Sequence, residues 1–366
     1  MKQTIHLIAA ARPNFMKIAP LYHSLARETW CRVAIVHTGQ HYDANMSDTF
    51  FRDLRLPDPA FHLDVGSGSH GQQTGAVMIA YESVVERDRP DWLVVVGDVN
   101  STIAAALVGV KLGIPTVHLE AGLRSRDRSM PEEINRLATD AIADVLWTPS
   151  RDADANLLAE GVAPERIECI GNIMIDSYEM LRATIEQAGT RRELQLDGQP
   201  YGVVTLHRPS NVDTRDALEP LVQVLADAAQ RLPLVFAVHP RTRKRLTNFA
   251  LQDRLIDAGV RLVDPLSYVQ FMNLVTGARV VITDSGGVQE ETTYLGIPCL
   301  TLRDNTERPI TVTEGSNRLV QPATLGAAID VALQSSGRRG SRPDLWDGHA
   351  AERAVASLRR RASIAT

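Results

Sequence analysis

Short β-rich apolar runs alternate along the whole chain with longer stretches of helical period. The clearest runs in the first half cover 4–10, 33–38, 92–97 and 116–119, and those in the second cover 201–206, 234–238, 279–283 and 299–302. Polar residues do not alternate with apolar ones inside these runs, so both faces of each strand are expected to be covered. Strands of this kind interleaved with helices predict an α/β protein built on parallel sheets.

Two internal echoes divide the chain in half. Val95-Val96-Gly97-Asp98 leads through a helical segment to Leu112-Gly113-Ile114-Pro115 and a strand, and Val281-Ile282-Thr283-Asp284 leads likewise to Leu295-Gly296-Ile297-Pro298 and a strand. Ala11-Arg12-Pro13-Asn14 after the first strand is answered by His207-Arg208-Pro209-Ser210-Asn211 in the second half. Both echoes in register predict two related Rossmann-like domains facing a central cleft. The length of 366 residues suits two domains of ~150 residues each. The expected bounds are 1–170 and 171–348, with a terminal helix over 349–366 packing back on the first domain. In open parallel sheets ligands bind beyond the carboxyl ends of the strands, so the residues there are the candidates for chemistry.

Composition narrows the class. Apolar residues make up 44% and charged residues 23%, an ordinary globular balance that excludes a disordered chain. Thirty-nine basic against 44 acidic residues give a net charge of −5, which argues against nucleic acid or an acidic membrane as partner. The apolar runs fall far short of the ~20 residues of a membrane helix, and the first ten residues read as a buried strand rather than a signal peptide. Cys31, Cys169 and Cys299 lack metal-ligand spacing and read as reduced thiols of a cytoplasmic protein.

Arg12 and Gln40-His41 follow the first two strands, and Asp98 and Glu120 the next two. Asp98 could instead cap the helix beginning near Ser101, and Glu120 could pair with Arg124 or Arg126. Ser129-Met130-Pro131-Glu132 has the form of a capping box, the bland alternative for Glu132; Glu133 would point ~100° away from it on the same helix. Carboxylates gathered at one set of strand ends suit general acid–base work. His207 and Arg208 follow the second half's first strand, where they could meet an anion. Asp284-Ser285-Gly286-Gly287-Val288-Gln289-Glu290-Glu291 runs from a strand into a helix start, which offers free N–H groups to a phosphate. Glu291 could accept from ribose hydroxyls, while an acidic helix start is the alternative reading. There is no Walker A motif, no Gly-x-Gly-x-x-Gly after the first strand and no His-Glu-x-x-His.

Taken together, Ala11 to Pro20, Thr38-Gly39-Gln40-His41, Gly97-Asp98, His118-Leu119-Glu120-Ala121-Gly122-Leu123-Arg124 and Pro131-Glu132-Glu133-Ile134-Asn135-Arg136 resemble the non-hydrolysing UDP-N-acetylglucosamine 2-epimerases. Gly171-Asn172, His207-Arg208, Asp284 to Glu291 and Arg303 to Pro309 continue the resemblance in family order over nearly the whole chain. It implies the fold of the B-type glycosyltransferases and inversion at C2 of a UDP-sugar by elimination and re-addition of UDP. It implies Asp98, Glu120, Glu132 and His207 as catalytic residues. Arg12, Lys17, Gln40, Arg208, His239 and Phe271 are implied as substrate contacts, with core packing the alternative for Phe271. Ser285, Gly286, Gly287 and Arg308 are implied for phosphate and Glu291 for ribose. No metal or nicotinamide cofactor is implied, and a homodimer is. His41-Tyr42-Asp43-Ala44 departs from the His-Arg-Glu-Met of many bacterial members, so activation by a second UDP-sugar is not carried over. The competing expectations are a 2-epimerase of another UDP-2-acetamido sugar such as a diacetamido uronic acid, a hydrolysing variant, a glycosyltransferase, and a non-catalytic UDP-sugar-binding protein.

Overall fold

A computed structural model describes residues 2–10, 12–39, 53–334 and 340–364. The chain forms two compact units, Met1–Met180 with Asp344–Thr366 and Leu181–Pro343. The divisions thus fall at 180, within the helix Ile173–Gln187, and at 343, against expected bounds of 170 and 348.

The first unit holds a seven-stranded sheet made of β1 (Gln3–Ala9), β2 (Cys31–Gly39), β3 (Phe61–Val65), β4 (Trp92–Val96), β5 (Thr116–Leu119), β6 (Val145–Thr148) and β7 (Ile167–Cys169). Their order is β3-β2-β1-β4-β5-β6-β7, and every pairing is parallel. β4 is buried along its whole length, as its unbroken Trp-Leu-Val-Val-Val requires. Ile8, Val36, Leu93 and Val95 of the sheet pack with Tyr81, Val84, Ala105 and Val108 of the covering helices.

The second unit repeats the design with β8 (Gly202–Thr205), β9 (Leu234–Ala237), β10 (Arg261–Val263), β11 (Val280–Thr283), β12 (Cys299–Leu302) and β13 (Asn317–Val320), in the order β10-β9-β8-β11-β12-β13 and again all parallel. Its core joins Val204, Phe236, Ile282 and Leu300 to Leu221, Leu225 and Ile329.

Each sheet reverses its order once, between β1 and β4 and between β8 and β11. The two sequence echoes fall on these same strands, so the repeated motifs mark equivalent places in two doubly wound sheets. The Leu-Gly-Ile-Pro elements end their helices as expected: Gly113 and Gly296 take φ of 66° and 69°, the left-handed conformation glycine adopts without strain.

The terminal helix Ala350–Ile364 belongs to the first unit. Its first amides, Ala350 N and Ala351 N, donate to the buried Asp176 carboxylate at 3.1 and 2.8 Å, and Ser357 Oγ accepts from Trp147 Nε1 at 3.0 Å. All three cysteines are free thiols. Among the described residues no helix is long and apolar enough to cross a membrane.

Candidate functional site

In the first unit the chain leaves β4 through Gly97, at φ 67°, and reaches Asp98. The helix that follows begins at Asn100, and its N-cap is Val99, so Asp98 is not a cap. Its carboxylate pairs instead with the buried Arg136, and Asn135 Nδ2 donates to the Asp98 carbonyl at 2.8 Å. Arg136 is held from behind by Glu133. Glu133 also accepts from the Ser125 and Arg126 amides at 2.9 and 2.8 Å. Burial works to raise its pKa, but those bonds outweigh it and keep the carboxyl below its ordinary range. Glu133 is therefore a scaffold residue and Glu132, beside it, is exposed.

No capping box forms at this helix. Pro131 takes its first position, Met130 is the N-cap without a side-chain bond, and Ser129 Oγ donates to Asp127 at 2.6 Å. Among the described residues, Glu132 is thereby left without a capping role. Asp98, Glu132 and Asn135 line one pocket of about 220 Å³ together with Thr38, His70 and Gln73.

Glu120 follows β5 at φ 76°, a conformation costing a side-chain-bearing residue ~1–3 kcal/mol. The turn is imposed because the Glu120 and Ala121 amides both donate to the Trp147 carbonyl, at 3.1 and 3.0 Å. Its carboxylate pairs with the ammonium of Lys17, both side chains being buried. The alternative partners are engaged elsewhere, Arg124 with Asp140 and Glu160 and Arg126 with Asn156. A Cβ on Gly97 would lie 3.3 Å from both Glu120 Oε2 and Lys17 Nζ, so this pair sits directly against the turn that carries Asp98. Arg12 opens the helix after β1. Gln40 and His41 lie outside the described residues.

In the second unit Asp284 follows β11 and is fully buried. It accepts from the His207 and Arg208 amides, from Asn211 Nδ2 at 3.1 Å and from His207 Nδ1 at 2.8 Å. Burial opposes its ionisation, but the His207 contact and these bonds outweigh it and lower its pKa. His207 is thus oriented with Nδ1 turned to Asp284 and its ring partly exposed. His239 stacks obliquely 5.7 Å away, and its Nδ1 accepts from Arg241 N. Burial, then the neighbouring His207, pushes the His239 pKa down.

Ser285 is the N-cap of the helix Gly286–Leu295, and its hydroxyl makes no capping bond. A Cβ at Gly286 would come within 2.8 Å of Glu307 Oε1, whereas one at Gly287 would meet nothing within 4 Å. Gly286 and Gly287 are the first residues of that helix, whose N-terminal amides suit a phosphate. Arg308 is buried among acids, with Nε 2.7 Å from Glu290 Oε1 and Nη1 bonded to Glu307. Glu291 is buried, and burial pushes its carboxyl up to about 8 against the opposing bond from Tyr268. Phe271 is partly exposed on the helix Tyr268–Gly277 and stands outside the buried core.

The sequence singled out Asp98, Glu120, Glu132 and His207, and Lys17 as a substrate contact rather than as the partner of Glu120, but not Asn135, Arg136 or Asp284 as the residues that hold the others. Asn135 and Arg136 stand three and four positions after Glu132 on one helix face, a spacing that could have flagged them. Asp284 was visible only as the start of a glycine turn.

Two doubly wound parallel sheets, with candidate side chains at the reversal point of each, define an α/β protein of the GT-B-like class. The sequence model of the family described as UDP-N-acetylglucosamine 2-epimerase matches residues 23–359, and the chain belongs to that family, whose members are isomerases. It is 40% identical over 365 residues to the UDP-N-acetylglucosamine 2-epimerase of Methanocaldococcus jannaschii, covering 97% of this chain and 98% of that one. The crystal structure of that organism's enzyme in complex with UDP-GlcNAc and UDP matches with a TM-score of 0.88 and 39% identity, over 98% of this chain and 99% of that one. A UDP-2,3-diacetamido-2,3-dideoxy-D-glucuronate 2-epimerase of Pseudomonas aeruginosa is also 40% identical, over 334 residues, covering 90% of each chain.

Proposed function

We propose that this enzyme inverts C2 of UDP-N-acetylglucosamine to give UDP-N-acetylmannosamine, by eliminating UDP to 2-acetamidoglucal and adding it back. The observation that carries the reading is the pocket shared by the Asp98 and Glu132 carboxylates, in a chain so similar to an epimerase crystallised with UDP-GlcNAc and UDP. The C2 hydrogen has no carbonyl beside it to acidify it. Its removal becomes feasible when the anomeric C–O bond breaks at the same time. A carboxylate takes the C2 proton, the C–H pair becomes the C1=C2 bond, and UDP leaves with the electrons of the anomeric bond. Return of a proton to the opposite face of C2 and attack of the UDP oxygen on C1 complete the inversion.

Asp98, Glu120 and Glu132 are the proton-handling carboxylates in this scheme. His207, oriented by Asp284, acts at the leaving diphosphate, with Arg12, Lys17, Gln40, Arg208 and His239 as further substrate contacts. The Ser285 hydroxyl, the amides of Gly286 and Gly287 and the guanidinium of Arg308 hold phosphate. Phe271 lies at the uracil. Glu291 binds the ribose diol; a carboxyl that keeps its proton at neutral pH offers the diol a donor as well as an acceptor. A homodimer in the cytoplasm completes the proposal.

The equal identity to the diacetamido-uronate epimerase supports a second reading, in which the substrate carries further substituents at C3 and C6. Incubation with each UDP-sugar in deuterated water, followed by NMR, separates them. The expected product from UDP-N-acetylglucosamine is the 2-epimer with deuterium at C2, beside traces of UDP and 2-acetamidoglucal. Epimer without C2 deuterium and without free glycal would overturn the route, and turnover of the diacetamido uronate alone would reassign the substrate.

A further inference from the structure

The ring of His118, on β5, is fully buried between two groups that the catalytic scheme leaves unused. Its Nδ1 lies 2.6 Å from Oδ1 of Asp140, and its Nε2 lies 2.8 Å from the carbonyl oxygen of Gly97. The second oxygen of Asp140 accepts from the Gly122 amide at 3.0 Å and pairs with Arg124 Nη1 at 2.7 Å. Burial works to raise the Asp140 pKa, but His118 and Arg124 outweigh it and hold the carboxyl below the usual range. An ionised carboxylate and a backbone carbonyl are both acceptors only. A neutral imidazole has one N–H and would turn a lone pair on one of them.

The two backbone groups reached in this way belong to the turns of interest. Gly97 immediately precedes Asp98, and Gly122 stands two residues after Glu120. Both glycines have positive φ, 67° and 80°, and a Cβ at Gly122 would fall 2.6 Å from the Ala153 carbonyl. Neither turn can be stiffened by a side chain of its own at these positions. Bonds from outside must fix them, and the His118–Asp140 pair supplies one to each.

We propose that His118 is a positioning residue: donating from both ring nitrogens, it ties the turn of Asp98 directly, and the turn of Glu120 through Asp140, and so fixes the separation of the two carboxylates. The kinetic consequence rests on the epimerase reading; the hydrogen bonding does not. Nitrogen-15 NMR of the full-length protein with labelled histidine is the first arm. The expected spectrum at neutral pH holds a ring with protons on both nitrogens, assigned to His118 through ring-to-backbone correlations and by its loss in His118→Gln. One bare ring nitrogen on His118 would overturn the proposal.

Turnover of UDP-N-acetylglucosamine is the second arm. His118→Gln is expected to lower kcat roughly 30- to 100-fold, as loss of sub-ångström placement does, with KM within about 3-fold. Asp140→Asn, which keeps the shape but not the charge, is expected to give the same split and serves where His118→Gln does not fold. Because what the clamp fixes is the separation of the two carboxylates, its effect should vanish once one of them is lost, and the His118→Gln, Asp98→Asn double variant should lie within about 3-fold of Asp98→Asn alone. Losses that multiply, or that fall equally on KM, would overturn it. A parent enzyme inactive on the UDP-sugar would sink the epimerase reading, and the nitrogen spectrum would still decide the clamp.

Discussion

Replacing Glu291 by glutamine should change how the second unit's stability depends on pH. Glu291 is 5% exposed on the helix Gly286–Leu295, and burial, with the neighbouring Glu290 adding to it, lifts its carboxyl from 4.5 to about 8. In the unfolded chain the same group titrates at its ordinary value. Between pH 4.5 and about 8 the native protein therefore binds the proton that the unfolded chain has lost, and stability falls as pH rises through that window. Each tenfold difference in proton affinity is worth ~1.4 kcal/mol, so the full window amounts to a loss on the order of 5 kcal/mol. Glutamine keeps the shape and cannot titrate. The stability of Glu291→Gln relative to the parent should thus rise from pH 4.5 to pH 8 by several kcal/mol and level off above it. Urea unfolding at a series of pH values measures this difference. Far-UV circular dichroism is the signal to follow, because Trp30, Trp92, Trp147 and Trp346 all belong to the first unit and report nothing of the second. A parent-to-variant difference that stays flat from pH 5 to pH 9 would refute the burial argument.

Asp98→Asn keeps volume but removes a base, and should lower epimerase turnover at least ~100-fold while leaving UDP affinity by calorimetric titration nearly unchanged; normal turnover would leave Asp98 as no more than the partner of Arg136. Asp176→Ala removes the acceptor of the first two amides of the helix Ala350–Ile364 and should cost ~1–2 kcal/mol, as loss of a cap does. Tryptophan-monitored urea unfolding checks this, and an unmoved midpoint would show that water replaces the carboxylate without loss.

The interior strands were legible because nothing polar interrupts them: the run over 92–97 became the fully buried β4. β3, β7 and β10 were not, since they stand at sheet edges and are only partly buried, so their sequences carry no continuous apolar run. β13, the other edge strand of its sheet, opens with the polar Asn317 and Arg318 and was missed for the same reason, whereas β6, Val-Leu-Trp-Thr, carries an apolar run as legible as that of β5 and was not singled out. At the site, Asp98, Glu120 and His207 announced themselves by standing after strands, but the pairs they form did not. Lys17 and Glu120 are 103 positions apart, and Arg136 and Asp98 are 38 apart. No local rule links residues at such distances. The left-handed backbone of Glu120 was equally invisible, because it is set by two amides converging on Trp147. The capping box was read from a pattern that Pro131 at the first helical position and Asp127 beside Ser129 jointly defeat.

Asp98 and Asp284 occupy the same place on a repeated frame, each following the strand beside the reversal point of its sheet. Their fates diverge at the residue before. Gly97 turns left-handed, and the carboxylate after it is one-third exposed. Thr283 stays in its strand, bonds forward to the Ser285 amide, and the carboxylate after it is sealed among donors. One aspartate is left lining a pocket and the other has become part of the framework that orients a histidine. A fold built twice over need not present the same site twice, since a left-handed glycine at one strand end leaves the following carboxylate open to a pocket while its counterpart, after a residue that stays in its strand, is sealed among donors.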